Sequence, residues 1–461
     1  MPLIIPNSLV VSVSGFRGRV GDPLTPELVC ALASAFGEFL KYEGSGNEII
    51  VGRDTRTSGF MLANAAASGL LSVGCNVVDL GIVATPTLIM EVGKGSAAGG
   101  IEVTASHNSA EWNALKFVSA EGSFLDADTM DAFLAFVAEE EFPRARWDEI
   151  GILQEDCGAS ERHIQAVLDL PQIDVNAIRN RNITVALDCV RGAGAALIIP
   201  LLDAFGCRVF PINTEMDGHF PRDPEPTADN LNELCDLVRS ENADLGLAVD
   251  PDVDRLSLVN EKGKALGEDM TLALAATVVL RRTSGTVVTN LSTSQVVDDI
   301  ADVYQSKVLR TPVGEINVAR RMQTEEAVVG GEGNGGVILP DLHYTRDAAV
   351  ATALILQGMV DENSSLSEIA GRGFSYSIVK KKADFPKEAL ANAYDELERI
   401  LDGDETDRTD GLRVSWRDLR SWLHVRPSGT EPIVRIIAEA PEQSEAEELI
   451  DRVVKALERM T

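Results

Sequence analysis

Lysine is scarce in this chain: eleven residues stand against thirty arginines and 72 acidic side chains, leaving a formal net charge of -31 and a pI near 4.5. A surface this acidic repels phosphate backbones and anionic lipid heads, which excludes nucleic acid and membranes as general partners. It does not exclude a small anion, because clustered arginines and helix N-termini reverse the sign inside a cleft. Acid excess with little lysine fits a high-salt host, and genomic base composition accounts for the lysine deficit equally well. Cysteine is also sparse: Cys30, Cys75, Cys157, Cys189, Cys207 and Cys235 form no CxxC pair and sit in apolar or mixed surroundings. That excludes a disulfide framework and a cysteine zinc site, and predicts reduced core thiols. Long apolar runs are missing; the longest, near Leu272 to Leu280, is too short to span a bilayer. The opening MPLIIPNSLVVSVSG lacks the basic region of a signal peptide. These absences predict a soluble, cytoplasmic protein.

What is present is ordinary globular composition, 45% hydrophobic and 25% charged. The 461 residues suffice for about three or four domains. Short β-branched runs alternate with helical periodicity. Strands are predicted at Glu48–Val51, Asn76–Leu80, Ile183–Leu187, Arg208–Pro211, Leu245–Val249, Leu256–Val259 and Val287–Asn290. Helices are predicted over Thr25–Leu40, Ser58–Val73, Leu231–Ser240 and Leu272–Leu280. Such alternation implies βαβ units and mixed or parallel sheets. A strand–helix–Gly–strand grammar appears from Asn47 and again from Asn182, and a third copy from Thr286 to Thr311 fits the same outline. The expected fold class is therefore α/β: three similar mixed-sheet domains over residues 1–150, 151–256 and 257–371, then a smaller α+β domain over 372–461.

Four segments carry chemistry. In VTASHNSAEWNALKFV, residues 103 to 118, a hydroxyl, an imidazole and an amine lie close at Ser106, His107 and Lys116. A polar turn is the bland reading. A Ser–His hydrolase is disfavoured, because neighbours on an extended chain point to opposite sides and no GxSxG elbow exists. In LAVDPDVDRLSLV, Asp250, Asp252 and Asp254 alternate directly after an apolar strand. Their oxygens suit one hard cation, Mg²⁺ or Ca²⁺. Glu261 stands at a twelfth loop position, yet Arg255 occupies the EF-hand glycine and the flanks read as strands, so an EF-hand is rejected. Arg255 beside three carboxylates suggests that the site also holds a phosphate or a sugar hydroxyl. In VVGGEGNGGVILP, Glu332 and Asn334 lie in a Gly-rich loop that admits close ligand approach. In HVRPSGTEPIVR, Arg426, Ser428, Gly429 and Thr430 offer a guanidinium fork, hydroxyls and a free amide, the donors a phosphate dianion needs, with Arg435 following. The N-terminal SGFRGRVG adds Arg17 and Arg19 between glycines.

Together, in this order, the segments resemble the α-D-phosphohexomutase family: phosphoglucomutase, phosphomannomutase and phosphoglucosamine mutase. The family's Arg loop, nucleophile loop, metal loop, sugar loop and phosphate loop are matched by GFRG, TASHNS, DPDVDR, GEGNGG and RPSGTEP. The resemblance implies four domains around one cleft. It implies Ser106 as phosphoserine, one Mg²⁺ held by Asp250, Asp252, Asp254 and the Ser106 phosphate, and Arg17, His107, Lys116 and Arg255 as catalytic groups. Glu332 and Asn334 would hold sugar hydroxyls, and Arg426, Ser428, Gly429, Thr430 and Arg435 the non-reacting phosphate. The partner is then a small phosphosugar, and the protein a monomer or homodimer. The departures are Ser109 for the usual Pro, Ala114 for a common Gly, and Gly336 where the sugar loop often carries His; His343 and Asp347 are candidates to replace that His. The GEGNGG loop resembles phosphoglucosamine mutase-like sequences, so glucosamine phosphate is the expected substrate, with mannose or glucose phosphate as the alternative and a non-catalytic sugar-phosphate sensor as the remoter one.

Overall fold

A computed structural model describes residues 4–13, 15–139, 142–373, 375–427 and 433–460. Four sheets follow one another along the chain. The first has eight strands, and its central path runs Gly15–Arg19, Trp112–Ser119, Gly99–Val103, Glu48–Arg53, Asn76–Ile82. The second and third each have four strands and share one plan: parallel pairs, with a final antiparallel strand at one edge. The fourth is a five-stranded antiparallel sheet over Ser377–Ala383 to Val434–Ala440, backed by the helix Gln443–Met460.

Local sequence explains the elements that place the site. Thr25 caps the helix Pro26–Tyr42 by accepting from Leu28 N at 3.3 Å, with Pro26 in the first turn, where its missing N–H costs nothing. That helix packs its apolar face through Phe36, tilted against Phe117 of the first sheet and edge-on to Phe133 of the helix Ala127–Glu139. The apolar run at Leu272–Leu280 lies inside the helix Asp269–Arg282. With Ala348–Glu362 it is buried in one continuous core that includes Val185 and Leu187 of the second sheet and Val287 and Val329 of the third. The second and third domains thus share a core, which holds the loops at the ends of their strands in fixed relation.

Two strands lie across the expected boundaries. Leu153–Glu155 pairs in parallel with Asn76–Ile82 and belongs to the first sheet, so this sheet extends past residue 150. A division at 256/257 runs through the strand Leu256–Asn260, whose antiparallel partner is Leu245–Val249. All six cysteines are free, but Cys157 is exposed and is not a core thiol. Among the described residues no helix is long and apolar enough to cross a membrane.

Candidate active site

The nucleophile loop leaves the strand Gly99–Val103 and turns at Ser106, whose φ of 49° lies in the left-handed region. The turn is held from beneath by Arg56, which is 1% exposed. Its guanidinium donates to the carbonyls of Ser106 (2.5 Å), Asn108 (2.6 Å), Ser109 (2.6 Å) and Trp112 (3.0 Å) and pairs with Asp54 at 3.0 Å. Asp54 also accepts from Thr104 Oγ1 at 2.6 Å, and Thr104 in turn accepts from Ser106 N at 2.9 Å. Ser109 in place of Pro therefore leaves an anchored loop. Sequence reasoning missed Arg56; its only signal was GRDTR at the end of an apolar strand. The extended geometry assumed at Ser106 and His107 is also wrong. The left-handed turn brings Ser106 Oγ to 3.4 Å from His107 Nδ1, while the hydroxyl donates to Asp250 at 2.9 Å.

The metal loop joins Leu245–Val249 to Leu256–Asn260, two strands rather than two helices, as expected. Val253 at φ 63° folds it tightly, so that one oxygen from each of Asp250, Asp252 and Asp254 lies within 4.8 Å of the others. All three residues are fully buried. Asp252 Oδ2 accepts from Lys116 Nζ at 2.7 Å and Thr85 Oγ1 at 2.8 Å. Asp250 accepts from the backbone N–H groups of Asp254 and Arg255, each at 3.2 Å. Burial, then the charges of Asp254 and Asp252, pushes the Asp250 carboxyl well above its usual range. Burial acts the same way on Asp252, but the charge of Lys116 and the hydrogen bonds from Asp250, Lys116 and Thr85 together outweigh it and hold this carboxyl below the usual range. Burial, then Arg255 and Arg17, keeps the His107 imidazole neutral. Asp252 Oδ1 and Asp254 Oδ1 are buried without a hydrogen-bond partner. Two orphaned carboxylate oxygens, beside a third carboxyl on which burial and its acidic neighbours outweigh Arg255, fit an oxygen-loving dication.

Charged groups surround this triad. Arg17 donates to Asn108 Oδ1 at 2.6 Å, and burial lowers its pKa. Arg19 does not join; it is exposed and lies over the Trp112 ring. Arg255 reaches Glu225 at 3.1 Å and stands 3.7 Å from Asp254. Glu332 accepts from Asn290 Nδ2 at 2.8 Å and Gly314 N at 3.0 Å, with Asn334 Nδ2 at 3.4 Å. Arg346, unforeseen in the sequence, joins Glu332 at 2.8 Å to Asp254 at 2.5 Å. His343 and Asp347 do not replace the absent His of the sugar loop. Both His343 (2.9 Å) and His163 (2.8 Å) bond one oxygen of Asp347 in a separate buried cluster, and Asp347 caps the helix Ala348–Glu362. Arg426 and Arg435 are directly opposed on neighbouring strands, and Arg426 pairs with Asp410 at 3.0 Å. Ser428, Gly429 and Thr430 lie outside the described residues.

The chain matches the phosphoglucomutase/phosphomannomutase domains in order: alpha/beta/alpha domain I over residues 9–144, domain II over 161–263, domain III over 267–375 and the C-terminal domain over 376–456. It belongs to this family. It is 38% identical to a phosphoglucomutase/phosphomannomutase of Thermococcus kodakarensis, across 96% of this chain and 97% of that protein. It is also 38% identical to a probable phosphoglucosamine mutase of Methanopyrus kandleri, across 97% of each. A crystal structure of a family protein from Burkholderia thailandensis superposes with a TM-score of 0.85 at 24% identity, covering 99% of this chain and 98% of that one, which establishes the shared four-domain fold. This phosphohexomutase is an enzyme, and its buried aspartate triad is able to hold a metal ion.

Proposed function

We propose that the chain interconverts hexose 6-phosphate and hexose 1-phosphate through phosphoserine at Ser106, with glucosamine phosphate as the preferred sugar. One observation carries the reading: Ser106 Oγ reaches across a domain boundary to Asp250 at 2.9 Å, while Lys116 reaches Asp252 at 2.7 Å. A nucleophile, a cation site and a buried ammonium thus occupy one volume. Asp250, Asp252 and Asp254, with the Ser106 oxygen, would hold one Mg²⁺, which when bound neutralises charge on the phosphoryl group in transit.

The chain's own residues then divide the work. In the first half, a sugar hydroxyl attacks the phosphoserine phosphorus, the P–O bond to Ser106 breaks, and a hexose 1,6-bisphosphate forms. After the intermediate turns over, Ser106 Oγ loses its proton and attacks the other phosphate, the P–O bond to the sugar oxygen breaks, that oxygen takes up a proton as a hydroxyl, and Ser106 regains a phosphoryl group. Lys116, Arg17 and Arg255 offset the negative charge of the group in transit. The neutral His107, with Nδ1 3.4 Å from Ser106 Oγ, is a proton acceptor beside that hydroxyl. Glu332 and Asn334 hold sugar hydroxyls. Arg426 and Arg435, with Ser428, Gly429 and Thr430, grip the phosphate that is not reacting.

The glucosamine preference rests on the GEGNGG loop and on relatives named as probable phosphoglucosamine mutases; the Thermococcus relative named phosphoglucomutase/phosphomannomutase supports the other sugars. Glucosamine, mannose and glucose 6-phosphates, each with Mg²⁺ and a trace of the matching 1,6-bisphosphate, separate these by ³¹P NMR. The expected result is fastest isomerisation of glucosamine 6-phosphate. Faster turnover of mannose or glucose 6-phosphate moves the assignment to those sugars, and release of inorganic phosphate without isomer makes the protein a phosphatase.

A further inference from the structure

The sugar loop ends in Gly336, at the place where the family resemblance leads one to expect a histidine, and the structure shows what fills the space. A Cβ placed on Gly336 would lie 2.2 Å from Arg346 Cδ and 2.8 Å from its Cγ. Gly336 has no positive φ that would demand glycine. The glycine is therefore required by the side chain crossing it. That side chain starts from a fixed point, since Arg346 N donates to Glu315 Oε1 at 2.8 Å. Its guanidinium then forks, Nη2 to Asp254 Oδ2 at 2.5 Å and Nη1 to Glu332 Oε2 at 2.8 Å, with Nε 3.3 Å from Glu315. Arg346 is 8% exposed, its partners Asp254 and Glu332 are buried, and Glu315 is partly buried.

We propose that Arg346 is the positioning residue that joins the cation site to the sugar site, and that Gly336 exists to admit it. This rests on the mutase reading, in which Asp254 serves the cation and Glu332 the sugar. By taking Asp254 Oδ2, the fork leaves Oδ1, the orphaned oxygen, for the cation. By taking Glu332 Oε2, it holds that carboxylate ionised and oriented: burial alone would raise the Glu332 pKa, and Arg346 is the largest opposing influence. A planar fork can bridge two carboxylates, whereas an ammonium is a single point of charge. An arginine also stays charged throughout, so this position holds charge and geometry and exchanges no proton.

The signs of the effects make the inference testable on phosphate-free, full-length enzyme by calorimetric titration of Mn²⁺ and, separately, of glucosamine 6-phosphate and mannose 6-phosphate. Arg346→Ala removes a positive charge beside Asp254, so Mn²⁺ is expected to bind as tightly or several-fold tighter, while the hexose 6-phosphate that wild type binds weakens by about tenfold or more. Arg346→Lys restores the charge without the fork; wild-type Mn²⁺ affinity is expected with sugar affinity still low. Gly336→Ala alone is expected to weaken sugar binding, and to change nothing further in the Arg346→Ala background, where only the residue 346 Cβ remains, 3.2 Å from the added methyl. The inference is overturned if Arg346→Ala binds sugar like wild type, if cation and sugar affinities fall in parallel, or if Gly336→Ala is equally harmful in both backgrounds. Should Arg346→Ala fail to fold, Arg346→Lys decides: wild-type sugar affinity there overturns the proposal. A wild type that binds both ligands yet never isomerises a hexose phosphate refutes the mutase reading while the variants still decide the role of Arg346; a wild type that binds neither refutes both.

Discussion

The role proposed for Ser106 depends on a loop held in a conformation that a β-carbon dislikes. A left-handed φ at a non-glycine residue costs energy, and the surroundings must impose it. Here Arg56 imposes it, taking four loop carbonyls and Asp54 with one guanidinium. Arg56→Lys keeps the charge but not the fork. Misplacement of a nucleophile by about 1 Å costs on the order of a hundredfold in rate. We therefore expect Arg56→Lys to accept phosphate from a hexose 1,6-bisphosphate about a hundredfold more slowly than wild type, read by the mass increase with time. Phosphorylation at the wild-type rate would show that the loop holds its shape without Arg56.

At the scale of elements, loops carry the chemistry and buried helices fix the loops. The helix Asp269–Arg282 begins under the sugar loop, where Asp269 accepts from Ser294 N at 2.8 Å. Burial pushes the Asp269 carboxyl up to about 7, against Lys380, from an ordinary value of 3.8. A carboxyl raised in the fold binds its proton more tightly folded than unfolded. Its stabilising effect is therefore complete at low pH and is lost as pH rises from about 4 to about 7, amounting to about 4 kcal/mol for a shift of this size. Asp269→Asn stays neutral, so its stability relative to wild type should grow between pH 4 and pH 8, measured by urea unfolding at each pH. A difference independent of pH would contradict the assignment.

Much of this level was legible beforehand. The strands Glu48–Arg53, Leu245–Val249 and Leu256–Asn260 fall within two residues of their predicted ends, because β-branched runs bounded by turns leave little choice. The alternating aspartates were legible as a cation loop for the same reason: three acids after an apolar strand have few other uses. The strand Ser377–Ala383 escaped notice, because its KKK stretch shows no apolar alternation and its partner Val434–Ala440 is far along the chain. Arg56 and Arg346 were illegible because their meaning lies in what they reach, 50 and 92 residues away in sequence. Glycine at 336 read as a loss from a motif; in the fold it is half of a pair.

For the molecule as a whole, the charge of -31 and the basic side chains of the cleft belong to one design. Arg17, Lys116, Arg255 and Arg346 gather around the aspartate triad, inside a shell of uncompensated acid. The shell repels itself, and salt screens that repulsion over about 10 Å at 0.1 M. The melting temperature should therefore rise from low to molar KCl; a fall would mean that surface ion pairs outweigh the net repulsion. The central claim concerns the cleft, where side chains of three domains meet at the aspartate triad and Ser106 Oγ reaches Asp250. Intact-mass and peptide analysis after incubation with Mg²⁺ and a hexose 1,6-bisphosphate tests it most directly. The account predicts wild type heavier by one phosphate, located on Ser106, with no gain in Ser106→Ala. A wild type that gains no phosphate, or a Ser106→Ala chain that gains one, would contradict it.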